Sequence, residues 1–413
     1  MTRIPEKVVA GLDIGSSKVV FLIGVVTENG IDVVGVGNSP SPGMRNGVLV
    51  NIESTSEAIS RAREEAELMS GYKVDEVWVS ISGIHIRSFD SRGMVAIRNN
   101  EVRIDDIERV IEAAKAVAVP ADRAVLHVLP REYKIDEHEG ISDPIGMSGV
   151  RLEASVHIIT SGQTAVQNII KCTKKSGIKV KGLVLQQLAS SLSVLSEDEK
   201  SLGVALLDIG GGTSDLIIYV RGSVAYTSVL PIGGNFFTQD IAVGLRTPHD
   251  CAEGLKKKFG SALVALVNDE ETIEVEGVGG REKRTVLRKN LCEIIEPRAE
   301  ETLNLVQNEI SKSNLGPLLG SGVVITGGAS QLDGLTAMGE FIFDAPVRMG
   351  ASMRVGGLSE VVKSPAYSAA VGLLMFGIRD ERLDQPAVIG NKKIPDVFAE
   401  VARRLKNVIT HGL

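Results

Sequence analysis

Two short segments carry most of the chemistry in this chain. Gly11-Leu12-Asp13-Ile14-Gly15-Ser16-Ser17-Lys18 and Leu207-Asp208-Ile209-Gly210-Gly211-Gly212-Thr213-Ser214-Asp215 each join an acidic residue to a glycine turn, and each is bracketed by β-branched runs. Glycine at Gly15 and at Gly210, Gly211 and Gly212 tolerates positive φ and leaves backbone N–H groups uncovered, which is what cradling an anion requires. Ser16, Ser17 and Thr213 add hydroxyl donors, and Lys18 adds the positive charge a polyphosphate needs nearby. Asp13 and Asp208 would repel phosphates unless a divalent cation stood between them. Magnesium accepts carboxylates while keeping most of its waters, so the pair points to a metal-bound nucleotide clamped between two halves of the chain. Taken singly, either segment is equally an ordinary hairpin whose Asp and Gly make the turn.

The elements around the two segments strengthen the joint reading. Each is followed by a strand (19–26; 216–220), a tight turn (Asn29-Gly30; Arg221-Gly222) and a second apolar strand (31–36; 224–230), an internal duplication of architecture. A third segment, Val323-Val324-Ile325-Thr326-Gly327-Gly328-Ala329-Ser330-Gln331, reads as a buried strand running into a glycine turn and a helix. That turn could approach a nucleoside closely.

These motifs resemble the actin, DnaK-type chaperone and sugar kinase superfamily, with its two phosphate loops and its adenosine loop. The resemblance implies an α/β, actin-like (ribonuclease H-like) duplicated two-domain ATPase fold with ATP and Mg2+ as cofactors. It implies that Asp13 and Asp208 hold water-ligated magnesium. Phosphates would fall to Gly15, Ser16, Ser17, Lys18, Gly210, Gly211, Gly212 and Thr213, and the adenosine pocket to Gly327, Gly328 and Ala329. The stretch from Cys251 to Gly260 resembles the chaperone helix that offers Glu and Lys to ribose and purine, making Glu253 and Lys256 candidates. On spacing alone those two are also a solvated i,i+3 pair. Gln186 lies where bacterial actins place the residue that orients the attacking water. Glutamine is a poor base, so turnover is expected to be slow at most. Asp215 is a second catalytic candidate by resemblance to the chaperone loop, and is otherwise a structural Asp closing the Thr213 turn.

Composition is consistent with this. A chain of 413 residues exceeds one ordinary core, and 44 glycines suit a loop-rich α/β protein. Three cysteines (Cys172, Cys251, Cys292) without paired spacing argue against a disulfide framework and for a reducing cytoplasm. The six histidines form no metal-ligand cluster in sequence, and a net charge of −7 without a long basic block gives no sign of nucleic-acid binding. No stretch approaches the ~20 apolar residues of a spanning helix, so the body reads as soluble.

Two insertions narrow the family. Residues 84–160 read as a small α+β subdomain, with strands at 94–97, 124–133 and 152–159 and a helix at 104–119. Its position after Val77-Trp78-Val79-Ser80-Ile81 and its Pro130-to-Tyr133 stretch resemble FtsA, the family of bacterial cell-division actins. The second insertion, 240–314, with Gly233-Gly234-Asn235, Gly244-Leu245-Arg246-Thr247 and Ile294-Ile295-Glu296-Pro297-Arg298 in or beside it, is FtsA-like as well. The expected organisation is a first core domain of 1–83, 161–200 and 363–378, and a second of 201–239 and 315–362.

The tail speaks without the family. Residues 379–393 are polar and aperiodic and read as a flexible linker. From Ile394, the apolar residues Val397, Phe398, Val401, Leu405, Val408 and Ile409 recur at steps of three and four over an arc of about 120°. Arg404 at the edge of the arc can snorkel toward headgroups. Lys392, Lys393, Arg403, Arg404 and Lys406 against Asp396 and Glu400 leave 5 − 2 = +3 in an otherwise acidic chain. The helix over 394–413 reads as an interfacial membrane anchor for anionic lipid, or as a docking helix for a core or partner groove. One such tail binds weakly, and many on one filament bind avidly.

The family resemblance implies an ATP-binding protein that forms filaments at the division site, on the cytoplasmic face of the inner membrane. There it would tether the FtsZ ring and recruit later division proteins through 84–160. FtsZ tails are acidic, so Arg284, Arg288 and Arg298 are contact candidates, or else solvated surface arginines. A pilus-assembly adaptor of the PilM type shares the fold, and a small-molecule kinase shares the phosphate loops.

Overall fold

In this computed structural model, residues 7–27, 30–116 and 119–383 are described. The turn expected at Asn29-Gly30 lies partly outside them. The anchor residues Ile394, Val397, Phe398, Val401, Arg404, Leu405, Val408 and Ile409 lie wholly outside.

The chain begins with β1 (Val8–Ile14), β2 (Lys18–Thr27) and β3 (Gly30–Pro40), a two-step hairpin of the kind apolar runs broken by glycine turns produce. A short ribbon of β4 (Met44–Arg45) and β5 (Val48–Leu49) leads to α1 (Ile52–Ser70). The side chain of Asn51 accepts from the N–H of Ser54 at 3.0 Å to start α1, and Gly71 at φ +74° ends it. Strand β6 (Glu76–Ile81) follows.

The first insertion then builds a four-stranded sheet of β7 (Arg87–Ala96), β8 (Arg123–Ile135), β9 (His138–Ile141) and β10 (Arg151–Gly162), in the order β7-β10-β8-β9. Helix α2 (Ile104–Lys115) covers it over a separate core of Ile107, Val110, Ile111, Leu152 and Val156. Strand β9 is an addition to the expected set. It is four residues long and mostly exposed, so it shows no alternation to read.

The chain returns through α3 (Gln163–Lys175), β11 (Lys179–Leu185), α4 (Gln186–Val194) and α5 (Glu197–Leu202). The second half repeats the opening with β12 (Val204–Ile209), β13 (Ser214–Val220) and β14 (Ser223–Leu230), then α6 (Gly234–Gly244) and α7 (His249–Phe259). A ribbon of β15 (Thr272–Val275) and β16 (Arg284–Leu287) precedes the long α8 (Arg288–Ser313). The remaining elements are β17 (Val323–Thr326), α9 (Leu335–Phe343), β18 (Val347–Met349), β19 (Val355–Gly357), α10 (Ser359–Val362) and α11 (Ser368–Leu383).

Strand order repeats over five strands, with β19 an addition at the edge of the first sheet. The first sheet runs β11-β6-β1-β2-β3-β19 and the second β14-β13-β12-β17-β18. In each, a central strand pairs antiparallel with its hairpin partner and parallel with the crossover strand, β1 with β2 and β6, β12 with β13 and β17. The second sheet is buried on both faces with a period of two. Ala205, Leu207 and Ile209 pack outward against α6, α7 and α8, whereas Leu206, Ile217 and Tyr219 join the core that continues through α4 and α11 to the first sheet. Helices α4 and α11 therefore form the middle layer, and Gly372 allows backbone contact there, since a Cβ on it would lie 1.8 Å from the carbonyl oxygen of Ala189.

The inserted subdomain touches both halves. His157 on β10 bridges Asp90 (2.7 Å) and the hydroxyl of Thr227 on β14 (3.0 Å). Ser88 donates to the Thr227 carbonyl at 3.1 Å, and Ser223 donates to the carbonyl of Arg131 at 2.9 Å.

Three expectations change. The segment after β17 forms a 3-10 turn over Gly328–Gln331, and the α-helix begins only at Leu335. Helix α11 continues to Leu383, so residues 379–383 of the expected linker are helical. The expected boundaries at 200 and 240 fall inside α5 and α6. Among the described residues, no helix is long and apolar enough to cross a membrane.

Candidate functional site

The two hairpin turns have the same local geometry. The N–H of Gly15 donates to the carbonyl of Lys18 at 3.1 Å, and that of Gly210 to the carbonyl of Thr213 at 2.9 Å. The turns face each other closely: a Cβ on Gly211 would lie 2.9 Å from that of Ser17, and one on Gly212 would lie 2.6 Å from the hydroxyl of Ser16. Glycine is required on steric grounds, since any side chain would fill the space between the loops.

Between them lies a cavity of about 240 Å³ lined by Asp13, Gly15, Ser16, Ser17, Lys18, Gln186, Asp208, Gly210, Gly211, Gly212, Thr213, Glu253, Lys256, Gly327, Gly328 and Ala329. Chain segments more than 300 residues apart in sequence meet there. Gly327 has φ +89°, and a Cβ on it would stand 2.3 Å from Oδ1 of Asp208, so the third loop lies directly against the second.

Asp215 stands apart from this lining. Fully buried behind Thr213, it accepts from the hydroxyls of Ser82 at 2.5 Å and Thr213 at 3.0 Å, the arrangement of an Asp that closes a turn. Its place on the chaperone-like loop therefore does not bring it to the cavity wall.

Burial dominates the electrostatics. It pushes Asp13 above the usual carboxylate range, against the hydroxyl of Ser80 and the charge of Lys18. It lifts Asp208 to about 6, with the Ser190 hydroxyl opposing and the charge of Asp13 adding. Asp215 rises to about 7 through burial and the charge of Asp208. Lys18 is lowered by burial, with Asp13 opposing, and its ammonium sits 3.8 Å from the centre of the Tyr367 ring. Carboxylates crowded in this way favour a cation. No group of three or more His, Cys, Asp or Glu able to hold a metal occurs among the described residues. Two carboxylates supplemented by water and phosphate oxygens are nonetheless a magnesium donor set, and Asp13 and Asp208 fit it.

Glu253 and Lys256 form their i,i+3 ion pair at 2.6 Å, but not as a solvated one. Lys256 also donates to the carbonyl of Gly234 at 2.9 Å, and the Thr238 hydroxyl donates to Glu253 at 2.5 Å. Burial works against the charge on Glu253, yet Lys256 and these bonds hold it down to about 2.

Serine hydroxyls hold the three carboxylates: Ser80 on Asp13 at 2.6 Å, Ser190 on Asp208 at 2.5 Å and Ser82 on Asp215. Sequence reading missed them. The signal for Ser190 was its place one helical turn after Gln186, and for Ser80 and Ser82 a hydroxyl in or just after the buried strand β6.

The three arginines expected at a partner surface are held within the chain. Arg284 donates to the carbonyl of Leu245. Arg288 binds Glu271 and the carbonyl of Phe259, both at 2.8 Å, and Arg298 binds Asp240 at 2.6 Å and also Glu301.

A family model described as Cell division protein FtsA matches residues 205–372, and one described as SHS2 domain inserted in FTSA matches residues 83–160. The chain is 50% identical to Cell division protein FtsA of Pseudomonas aeruginosa, covering 91% of this chain and 90% of that one. It is 36% identical to that of Bacillus subtilis, covering 95% and 88%. Among solved structures, the fold matches a PilM-PilN type IV pilus biogenesis complex with a TM-score of 0.65 at 16% identity, covering 91% of this chain and 99% of that one. It matches MreB5 of Spiroplasma citri bound to AMPPNP with a TM-score of 0.56 at 13% identity, covering 92% and 98%.

Proposed function

The chain belongs to the FtsA family of cell division proteins, and on that premise we propose that it is an ATP-binding, actin-like adaptor that assembles into filaments and tethers the FtsZ ring to the inner membrane. The observation that carries the nucleotide reading is the cavity itself, where two duplicated loops, two buried carboxylates and a third glycine loop converge. A magnesium ion held by Asp13 and Asp208 would offset their mutual repulsion and that of the phosphates. Residues 15–18 and 210–213 would take the phosphates, and Glu253, Lys256 and residues 327–329 the nucleoside. Gln186, at the cavity wall, would orient water for slow hydrolysis, leaving ATP mainly as an assembly ligand. A nucleotide that contacts loops of both core domains favours the closed arrangement of the two, which is how it would bias filament contacts.

The membrane part of the proposal rests on the sequence of residues 394–413, whose basic residues each contribute about 1 kcal/mol near an anionic surface. Avidity along a filament multiplies one weak tail. The FtsZ tail is assigned to the second insertion, where an acidic peptide reaching Arg288 or Arg298 would compete with Glu271 and Asp240. Later division proteins are assigned to 84–160. The PilM likeness is one of fold at 16% identity and does not compete with relatives at 36–50%.

Liposome co-sedimentation tests this. The full chain should pellet with anionic but not neutral vesicles, more so with Mg-ATP, and a chain truncated after Lys393 should stay in solution. If truncation leaves pelleting unchanged, the tail is a docking helix and the membrane role falls.

A further inference from the structure

The start of α4 is held from outside its own domain. Leu185 ends β11 and precedes Gln186, and its N–H donates to Nε2 of His127 at 3.0 Å. His127 lies on β8 of the inserted subdomain. Strand β11 is the edge of the first sheet, so Leu185 has no strand to meet on the side away from β6. Leu185 is also the N-cap residue of α4, with no side-chain cap available to it. The imidazole supplies a fixed point instead. It packs against Phe376 of α11 with ring centroids 6.3 Å apart, and Phe376 in turn meets Trp78 edge-on at 5.0 Å.

An imidazole accepting at Nε2 carries its proton on Nδ1 and must be neutral. Burial holds His127 down to about 4, which keeps it so near neutral pH. The first turn of α4 brings Gln186 to the cavity, and one turn later Ser190 holds Asp208. A small rotation of α4 would move both, and displacements of that size at a catalytic group cost rate steeply.

We propose that His127 is a positioning residue: by anchoring the Leu185 N–H it sets the start of α4, so that the inserted subdomain fixes where Gln186 and Ser190 stand at the nucleotide site. This rests on the reading of Gln186 given above. It follows that a partner docked on the insertion can alter turnover without touching the cavity.

The test uses the full chain with His127→Phe, which keeps the aromatic contact and loses the acceptor, and His127→Gln, whose amide oxygen can accept. In His127→Phe the Leu185 amide should exchange with solvent about threefold to tenfold faster. Mg-ATP turnover should fall by at least about tenfold with KM changed by less than about twofold. His127→Gln should recover both. Unchanged exchange at Leu185 overturns the proposal, as does faster exchange with unchanged turnover. Equal damage in both variants with a lowered melting temperature overturns it too, because that marks packing alone. A wild-type chain that binds Mg-ATP without hydrolysing it would defeat the Gln186 reading by itself, and the exchange at Leu185 would still decide whether His127 holds α4.

Discussion

Asp208 and Asp215 titrate within the range where the folded protein is handled, and the sign of their effect is set. Burial raises both in the folded chain, to about 6 and about 7, whereas an exposed Asp titrates near 4. At these two sites the folded state then binds more protons than the unfolded one, so their contribution to stability is greatest at low pH and is lost as pH rises through these values. Without nucleotide or metal, the melting temperature should fall between about pH 5 and about pH 7. Asp208→Asn should flatten that slope, and a slope unchanged by the substitution would show that the carboxylate is not its source. Gln186 is hydrogen-bonded to Asp208 through its side chain, and Gln186→Ala should reduce Mg-ATP turnover by about a hundredfold, with nucleotide affinity unchanged within about twofold. Parallel loss of affinity would make Gln186 a binding residue instead.

The middle layer of α4 and α11 is where elements constrain one another most tightly. Gly372 and Ala189 meet backbone to backbone, with no room for a methyl group on Gly372. Gly372→Ala must push the helices apart, and overpacking of this kind costs about 1–3 kcal/mol. Chemical denaturation should show that loss. Stability within about 0.5 kcal/mol of the parent would mean that the layer shears freely. Periodicity made the strands of both sheets legible, but this contact has no local signal, because a glycine in an apolar helix reads only as a weak point.

For the whole molecule, the seam between the inserted subdomain and β14 matters most. A subdomain grafted into the first core also grips the second, through His157, Ser88 and Ser223. Opening the cleft between the two cores would strain or break these bonds. A double-mutant cycle of His157→Phe and Thr227→Val should give a coupling of about 0.5–1.5 kcal/mol. Additive effects would mean that the subdomain moves with the first core alone.

The duplicated hairpins, the glycine loops with an aspartate before each, the inserted α+β unit and the family were legible in the sequence. These are local matters, since turn chemistry and a period of two are written in neighbouring residues. Only the tertiary structure shows that Glu253 and Lys256 form a half-buried pair at the cavity, that Asp215 sits behind Thr213 rather than in the lining, and that Arg284, Arg288 and Arg298 are already engaged. The serines on the carboxylates and the hold of His127 on Leu185 belong with them. Most depend on which segments are brought together across 17 to 67 residues, or on which face of an element a side chain takes, and spacing along the chain encodes neither.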